Sequence, residues 1–209
     1  MAFRVFPLVL LVGAALVAGC GGSDRTEEVP PPIAADAPPG PSAPLSRDLA
    51  RFGQELFAAS RGRPGGEYLD ERAAAENWRP APAALQPIYR TEHGWLAPLG
   101  EREVIVAHDG ARGMVIVATM HGFDAAAAKQ ALEDSFELER LSLMNGTDGT
   151  MMSNYIARRE GEEVAFIGLL QAVEGPARGV GLVGFVPAEV ARREMQEGAP
   201  PREPLQTEG

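Results

Sequence analysis

Cys20 is the only cysteine among the 209 residues, so no disulfide within the chain can staple the fold. Stability must come from a hydrophobic core. The chain has the material for one: 45% of its residues are hydrophobic, inside the usual globular range.

The position of that cysteine bears on where the chain resides. Met1-Ala2-Phe3-Arg4 carries one positive charge, Val5 to Leu16 is apolar, and Val17, Ala18 and Gly19 are small. A charged end, a short apolar core and a small-residue cleavage site, in that order, make a signal peptide. The apolar run falls short of the ~20 residues of a spanning helix. The stretch Val17-Ala18-Gly19-Cys20 resembles the lipobox of bacterial lipoproteins. The resemblance covers residues 1–20. It implies a lipoprotein signal peptide over 1–19, a diacylglyceryl group (palmitate-type chains) on the Cys20 sulfur, cleavage before Cys20, and acylation of the new amine. Gly21, where an Asp often retains lipoproteins at the inner membrane, implies the outer membrane, facing the periplasm. Two or more acyl chains hold a protein firmly, at ~0.8 kcal/mol per buried CH₂. The expected membrane partner is therefore reached through the N-terminal lipid.

The surface itself does not favour a membrane. The formal net charge is −10, and loss of residues 1–19 removes one further positive charge, Arg4. An acidic chain opposes nucleic acid, whose affinity comes from Lys and Arg neutralising phosphates. No nucleic-acid partner is expected, and the charge reads as a solubility feature.

Residues 20–46 read as the lipidated cysteine and a disordered linker, with Pro30-Pro31-Pro32 and a Pro38–Pro44 cluster. Proline removes backbone donors and favours extended geometry, so this segment is a spacer. Residues 47–197 form a single domain of ordinary size. The proline-rich polar tail 198–209 is expected to be disordered.

Within the domain, Leu49, Phe52, Leu56 and Phe57 recur at helical spacing after Ser46, and a second amphipathic stretch runs from Leu69 to Trp78. Prolines 80, 82 and 87 break regular structure. Tyr89 to Leu99 reads as irregular or a short strand, with Trp95 as a core anchor. Val104–Ala107 and Met114–Met120 form a hairpin around Asp109-Gly110. Asp124 caps a helix to about Phe136, since its carboxylate accepts from free N–H groups and suits the helix dipole. A strand follows, then an Asn145–Thr150 loop. Met151–Arg158 and Val164–Val173 make a second hairpin, Val180–Val186 a further strand, and Ala188–Gln196 a last helix with Pro187 in its first turn. The fold class is α+β: an antiparallel sheet, hairpin plus meander, packed by two or three helices on one or both faces. The order is similar to that of PsbP-like α/β/α sandwiches found among extracytoplasmic lipoproteins.

No pattern of catalytic residues stands out. Gly179-Val180-Gly181-Leu182-Val183-Gly184 matches Gly-x-Gly-x-x-Gly, but its glycines lie inside an apolar run where a dinucleotide site needs a strand-to-helix turn. They read as a strand packed closely against a helix. His93, His108 and His121 lack metal-ligand spacing; the hairpin puts His108 and His121 at opposite ends. Met114, Met120, Met144, Met151 and Met152 are soft ligands of the kind copper(I) takes, yet Met114 and Met120 share a strand face in the manner of core filling. Ser135, Ser142 and Ser153 lie in no nucleophile elbow. Glu160, Glu162 and Glu163 look like a solvated turn, and Asp148 lacks the other acidic ligands of a calcium loop. Cys20, for lipidation, is the only site residue expected; no catalytic, cofactor-binding or metal residue is assigned.

The expected function is that of a non-enzymatic cell-envelope lipoprotein. It presents an interaction domain on a tether to an envelope protein or component. The alternatives are a carrier of a small ligand or metal, using a pocket between the helix at 124–136 and the sheet, and a hydrolase whose site is scattered in sequence.

Overall fold

The computed structural model describes residues 43–61, 66–89, 91, 93–146, 149–173 and 178–197. The expected signal peptide, Cys20, the linker up to residue 42, Asp148 and the tail after residue 197 lie outside the described residues.

Helix α1 spans Ala43–Ser60 and buries Leu49, Ala50, Gly53, Leu56 and Phe57 along one stripe. It begins three residues before Ser46, so the expected linker boundary at residue 46 falls inside a helix. Pro44 does not prevent this, because a first-turn proline forfeits no intrahelical hydrogen bond. Helix α2, Glu67–Ala75, stops short of Trp78. Asn77 adopts a left-handed φ of 57°. The Trp78 N–H donates to the Ala73 carbonyl at 2.8 Å and Asn77 N–H to Ala74 at 3.4 Å. This is a Schellman stop with asparagine in the usual glycine position.

A two-residue strand β1, Arg79–Pro80, a 3₁₀ turn at Ala83–Leu85 and a short helix α3, Gln86–Tyr89, follow. Strands β2, His93–Leu99, β3, Arg102–Asp109, and β4, Met114–Thr119, then form a meander. Helix α4, Ala125–Glu133, carries the chain to the far edge. Strands β5, Glu137–Asn145, β6, Thr150–Arg159, β7, Glu162–Ala172, and β8, Gly181–Pro187, return towards the centre, and α5 covers Ala188–Glu197. Pro187 therefore closes β8 rather than opening the helix.

All eight strands belong to one antiparallel sheet in the order β1-β2-β3-β4-β8-β7-β6-β5. Two meanders thus meet at the β4–β8 seam, where Val117 faces Val183. Of the two readings for the stretch before Leu99, irregular or a short strand, the structure shows the strand: seven residues in full register with β3. Pro98 is tolerated there because β1 reaches only Trp95 and Leu96, leaving β2 an edge strand at the proline.

Helices α1, α2 and α4 pack one face against Val104, Val106, Val115, Val117, Val183, Phe185, Ile167 and Leu169. The opposite face is covered by the α3 segment, through Leu85 and Ile88, and by α5, through Ala188 and Ala191. Cover on both sides explains the sequence. Every residue of β4 is buried, so the central strands are continuously apolar rather than alternating. Burial at ~25 cal/mol per Å² on two faces supplies the stabilisation that no disulfide can.

Candidate functional site

The site is built at the open end of the β2–β3 pair. The register puts His93 directly opposite His108 and Trp95 two residues along β2 on the same face. The His108 ring lies 5.4 Å from the Trp95 ring, centroid to centroid, and 12° from parallel. The His93 ring lies 5.9 Å away on its other side at 17°. Three rings therefore form a row, offset-stacked as aromatic systems prefer.

Helix α2 caps this row. Gly66, just before the helix, has φ +88°, and a Cβ there would lie 1.9 Å from His108 Cε1. Only glycine can make that approach, for both conformational and steric reasons. Asp70, in the first turn of α2, puts Oδ1 3.9 Å from His108 Nε2. That distance allows electrostatic attraction but is too long for a hydrogen bond.

His108 is 6% exposed, and neither ring nitrogen has a hydrogen-bond partner. Among the described residues these are the only buried side-chain nitrogen or oxygen atoms left so. Such a group costs free energy in the fold and calls for an explanation. Burial pushes the imidazole below its ordinary value of 6.5; Asp70 and Asp109 oppose this, and His93 adds to it. The neutral ring is the form that fits. Asp109 is largely committed to its own turn, where Oδ1 accepts from the Ala111 and Arg112 N–H groups.

The remaining candidates disperse. His121 is exposed beyond the end of β4, far along the hairpin from His108, as the register requires. Met114 is buried in the second core, Met120 is 43% exposed, and Met144 faces Met152 across β5–β6. Met114 and Met120 thus lie apart from the Met144–Met152 pair, and the methionines do not form one ligand set. Ser142 Oγ accepts from Asn154 Nδ2 at 2.9 Å. The glycine motif has a packing origin. Gly181 lies against Phe123, whose Cγ would be 2.0 Å from an added Cβ, and Gly179 takes φ +91°. Helix α4 seats Ala128, Ala131 and Leu132 in the core, where the sequence had suggested a ligand pocket.

Glu163 corrects the reading of a solvated turn. It accepts three charge-assisted bonds from Arg192 of α5, at 2.6, 2.7 and 2.9 Å, and one from Arg158 at 3.0 Å. Arg158 also binds Glu139 across the sheet. The Arg192 contact, more than the Arg158 one, lowers the Glu163 carboxyl from its ordinary value.

Sequence reading missed the pairing of His93 with His108. It depends on a β2–β3 register that the interrupted pattern around Gly94 and Pro98 hides. Among the described residues, no three His, Cys, Asp or Glu side chains converge to hold a metal ion, and no helix is long and apolar enough to cross a membrane. No family model, curated protein or solved structure matches the chain.

Proposed function

We propose that this protein is a non-enzymatic lipoprotein of the bacterial cell envelope, anchored through Cys20 and presenting residues 43–197 as an interaction domain. The observation that carries the reading is Val17-Ala18-Gly19-Cys20 immediately behind a short apolar run. The proline-rich residues 21–42 then serve as the spacer. At ~3.1 Å per residue in extended polyproline geometry, such a segment reaches on the order of 60 Å from the bilayer.

The domain suits presentation rather than chemistry. Several of its charged side chains are drawn into structural pairs, such as Glu163 with Arg192 and Arg72 with Glu55. Strand β5 lies at the edge of the sheet and leaves Leu141 47% exposed. An edge of this kind offers backbone groups and apolar area to a protein partner.

Metabolic labelling with an alkyne-bearing palmitate in a bacterial host tests the anchor. The full chain takes up label and loses Met1 to Gly19. Cys20→Ser takes up none and keeps them. An unlabelled, uncut wild-type chain overturns the reading.

A further inference from the structure

We propose that His108 is an acid-operated latch: the neutral ring seats helix α2 on the sheet, and protonation releases the segment Gly66–Ala75 and uncovers the His93–Trp95–His108 row. The latch is a property of the folded domain and does not depend on how the chain is anchored.

A buried imidazole ordinarily spends its N–H and its lone pair on partners, and His108 spends neither. Packing does not require a titratable ring here: Trp95 and His93 stack on it, and Gly66 approaches it closely. A phenyl ring would meet the same geometry. What imidazole adds is a charge that can be switched between pH 5 and 8.

The groups facing His108 decide the direction. From α2 comes Asp70, 3.9 Å away and largely exposed. From β2 comes His93, which repels an imidazolium when itself protonated, and from β3 the neighbouring Asp109, held in its turn. On β4 the opposing residue is Val115, which carries no charge. Among the described residues, a proton on His108 therefore finds no acceptor within hydrogen-bond distance of either ring nitrogen. Its nearest carboxylate is screened by water, so the attraction is weak. A buried charge without a partner costs more than the packing of a short helix returns.

Helix α2 is the element that yields. It is nine residues long and fully buries only Leu69 and Ala73; Tyr68 packs partly against the core, and Arg72 ties the helix to Glu55 of α1 at its far end from Gly66. The Gly66 backbone is the part in contact with the ring, and a segment with few buried contacts opens below the global unfolding free energy. β2 and β3, by contrast, are held by a seven-pair ladder.

Mass spectrometry of the full chain in detergent micelles, from pH 8 to pH 5, tests this. Exchange at the imidazole carbon hydrogen reports the protonation of each histidine. Amide exchange, corrected for its intrinsic pH dependence, reports opening of 66–75. His108 is expected to titrate below 6.5, with protection of 66–75 falling at least tenfold in the same window while β3 and β4 stay protected. His108→Phe is expected to abolish that pH dependence. A His108 that titrates at or above the ordinary histidine value, an α2 whose protection does not change with pH, or a Phe variant that still opens in acid, overturns the proposal. The wild-type measurements decide it alone if the Phe variant does not fold.

Discussion

His108 Nε2 and Asp70 Oδ1 stand 3.9 Å apart across the junction of β3 and α2, close enough to attract and too far to share a proton. The pair is set for the neutral imidazole, and this has a consequence for global stability. Unfolded, His108 takes its ordinary value of 6.5; folded, it lies lower. Between those values the unfolded chain binds more protons, so stability rises with pH through the window. The contribution is complete above about pH 6.5 and is lost as pH falls towards the folded value. Urea midpoints taken between pH 7.5 and pH 5.5 are expected to fall for wild type and to fall less for His108→Phe. Asp70→Asn is expected to change the midpoint little at pH 7.5, by under about 0.5 kcal/mol, and to steepen the loss in acid by removing the carboxylate that favours the charged ring.

Gly53 sits mid-helix in α1, where alanine would normally gain about 1 kcal/mol of helix propensity. Here an added Cβ would lie 2.7 Å from both Phe185 Cε2 and Val117 Cγ2. Phe185 is itself stacked on Phe57 at 5.5 Å, and both Phe185 and Val117 are fully buried, so neither side chain has room to move. Overpacking costs about 1–3 kcal/mol and outweighs the propensity gain. Gly53→Ala is expected to destabilise the domain by roughly 1 kcal/mol, read as a lower midpoint in chemical denaturation with an unchanged slope.

Asp124 and Ser46 tie α4 to α1. The Asp124 carboxylate accepts from the Ala127 N–H at 3.0 Å, and the Asp124 N–H donates to Ser46 Oγ at 2.8 Å. Asp124→Ala is expected to cost about 1 kcal/mol, the usual effect of losing a helix cap. Ser46→Ala is expected to cost a similar ~1–3 kcal/mol, because Ser46 is buried and its loss strands a backbone donor. A double-mutant cycle on denaturation free energies checks whether the two effects couple.

Arg72 joins α1 to the end of α2. Its guanidinium donates to Glu55 and Glu76 at 2.8 Å and to Tyr68 at 3.3 Å, and lies 5.6 Å from the Phe52 ring and 5.8 Å from that of Trp78. Burial works against the charge, but the bonds that Arg72 donates to Glu55, Glu76 and Tyr68 outweigh it and keep the guanidinium charged. Lysine cannot reproduce the fork or the stacking. Both Arg72→Ala and Arg72→Lys are expected to lower stability, by about 1–3 kcal/mol for alanine and by a smaller amount for lysine. Thermal melts at low and high salt check this, and the cation–π share is the part that salt leaves standing.

The legible parts of this fold were those coded by neighbouring residues. The β3–β4 hairpin followed from Val104–Ala107, Asp109-Gly110 and Met114–Met120, one residue longer than the strand, and the α4 start followed from Asp124. The stop of α2 was written at Asn77, whose left-handed turn is a local signal that a longer amphipathic reading passed over. Strand β2 was obscured because Gly94 and Pro98 interrupt its pattern, and with it the partner of His108. Glu163 looked solvated because Arg192, its main partner, is 29 positions away.

By itself the sequence determined that no intrachain disulfide is available, that an antiparallel α+β domain lies between proline-rich flanks, and that Cys20 follows a short apolar run and three small residues. Spacing, capping and turn chemistry act within a few residues, so they can be read along the chain. Tertiary structure alone decided that β8 rather than β5 meets β4, that both faces of the sheet are covered, and that Gly66 closes over an imidazole with nothing to bond. Those outcomes depend on register and burial between segments far apart, where the free energy belongs to the contact and to neither segment alone.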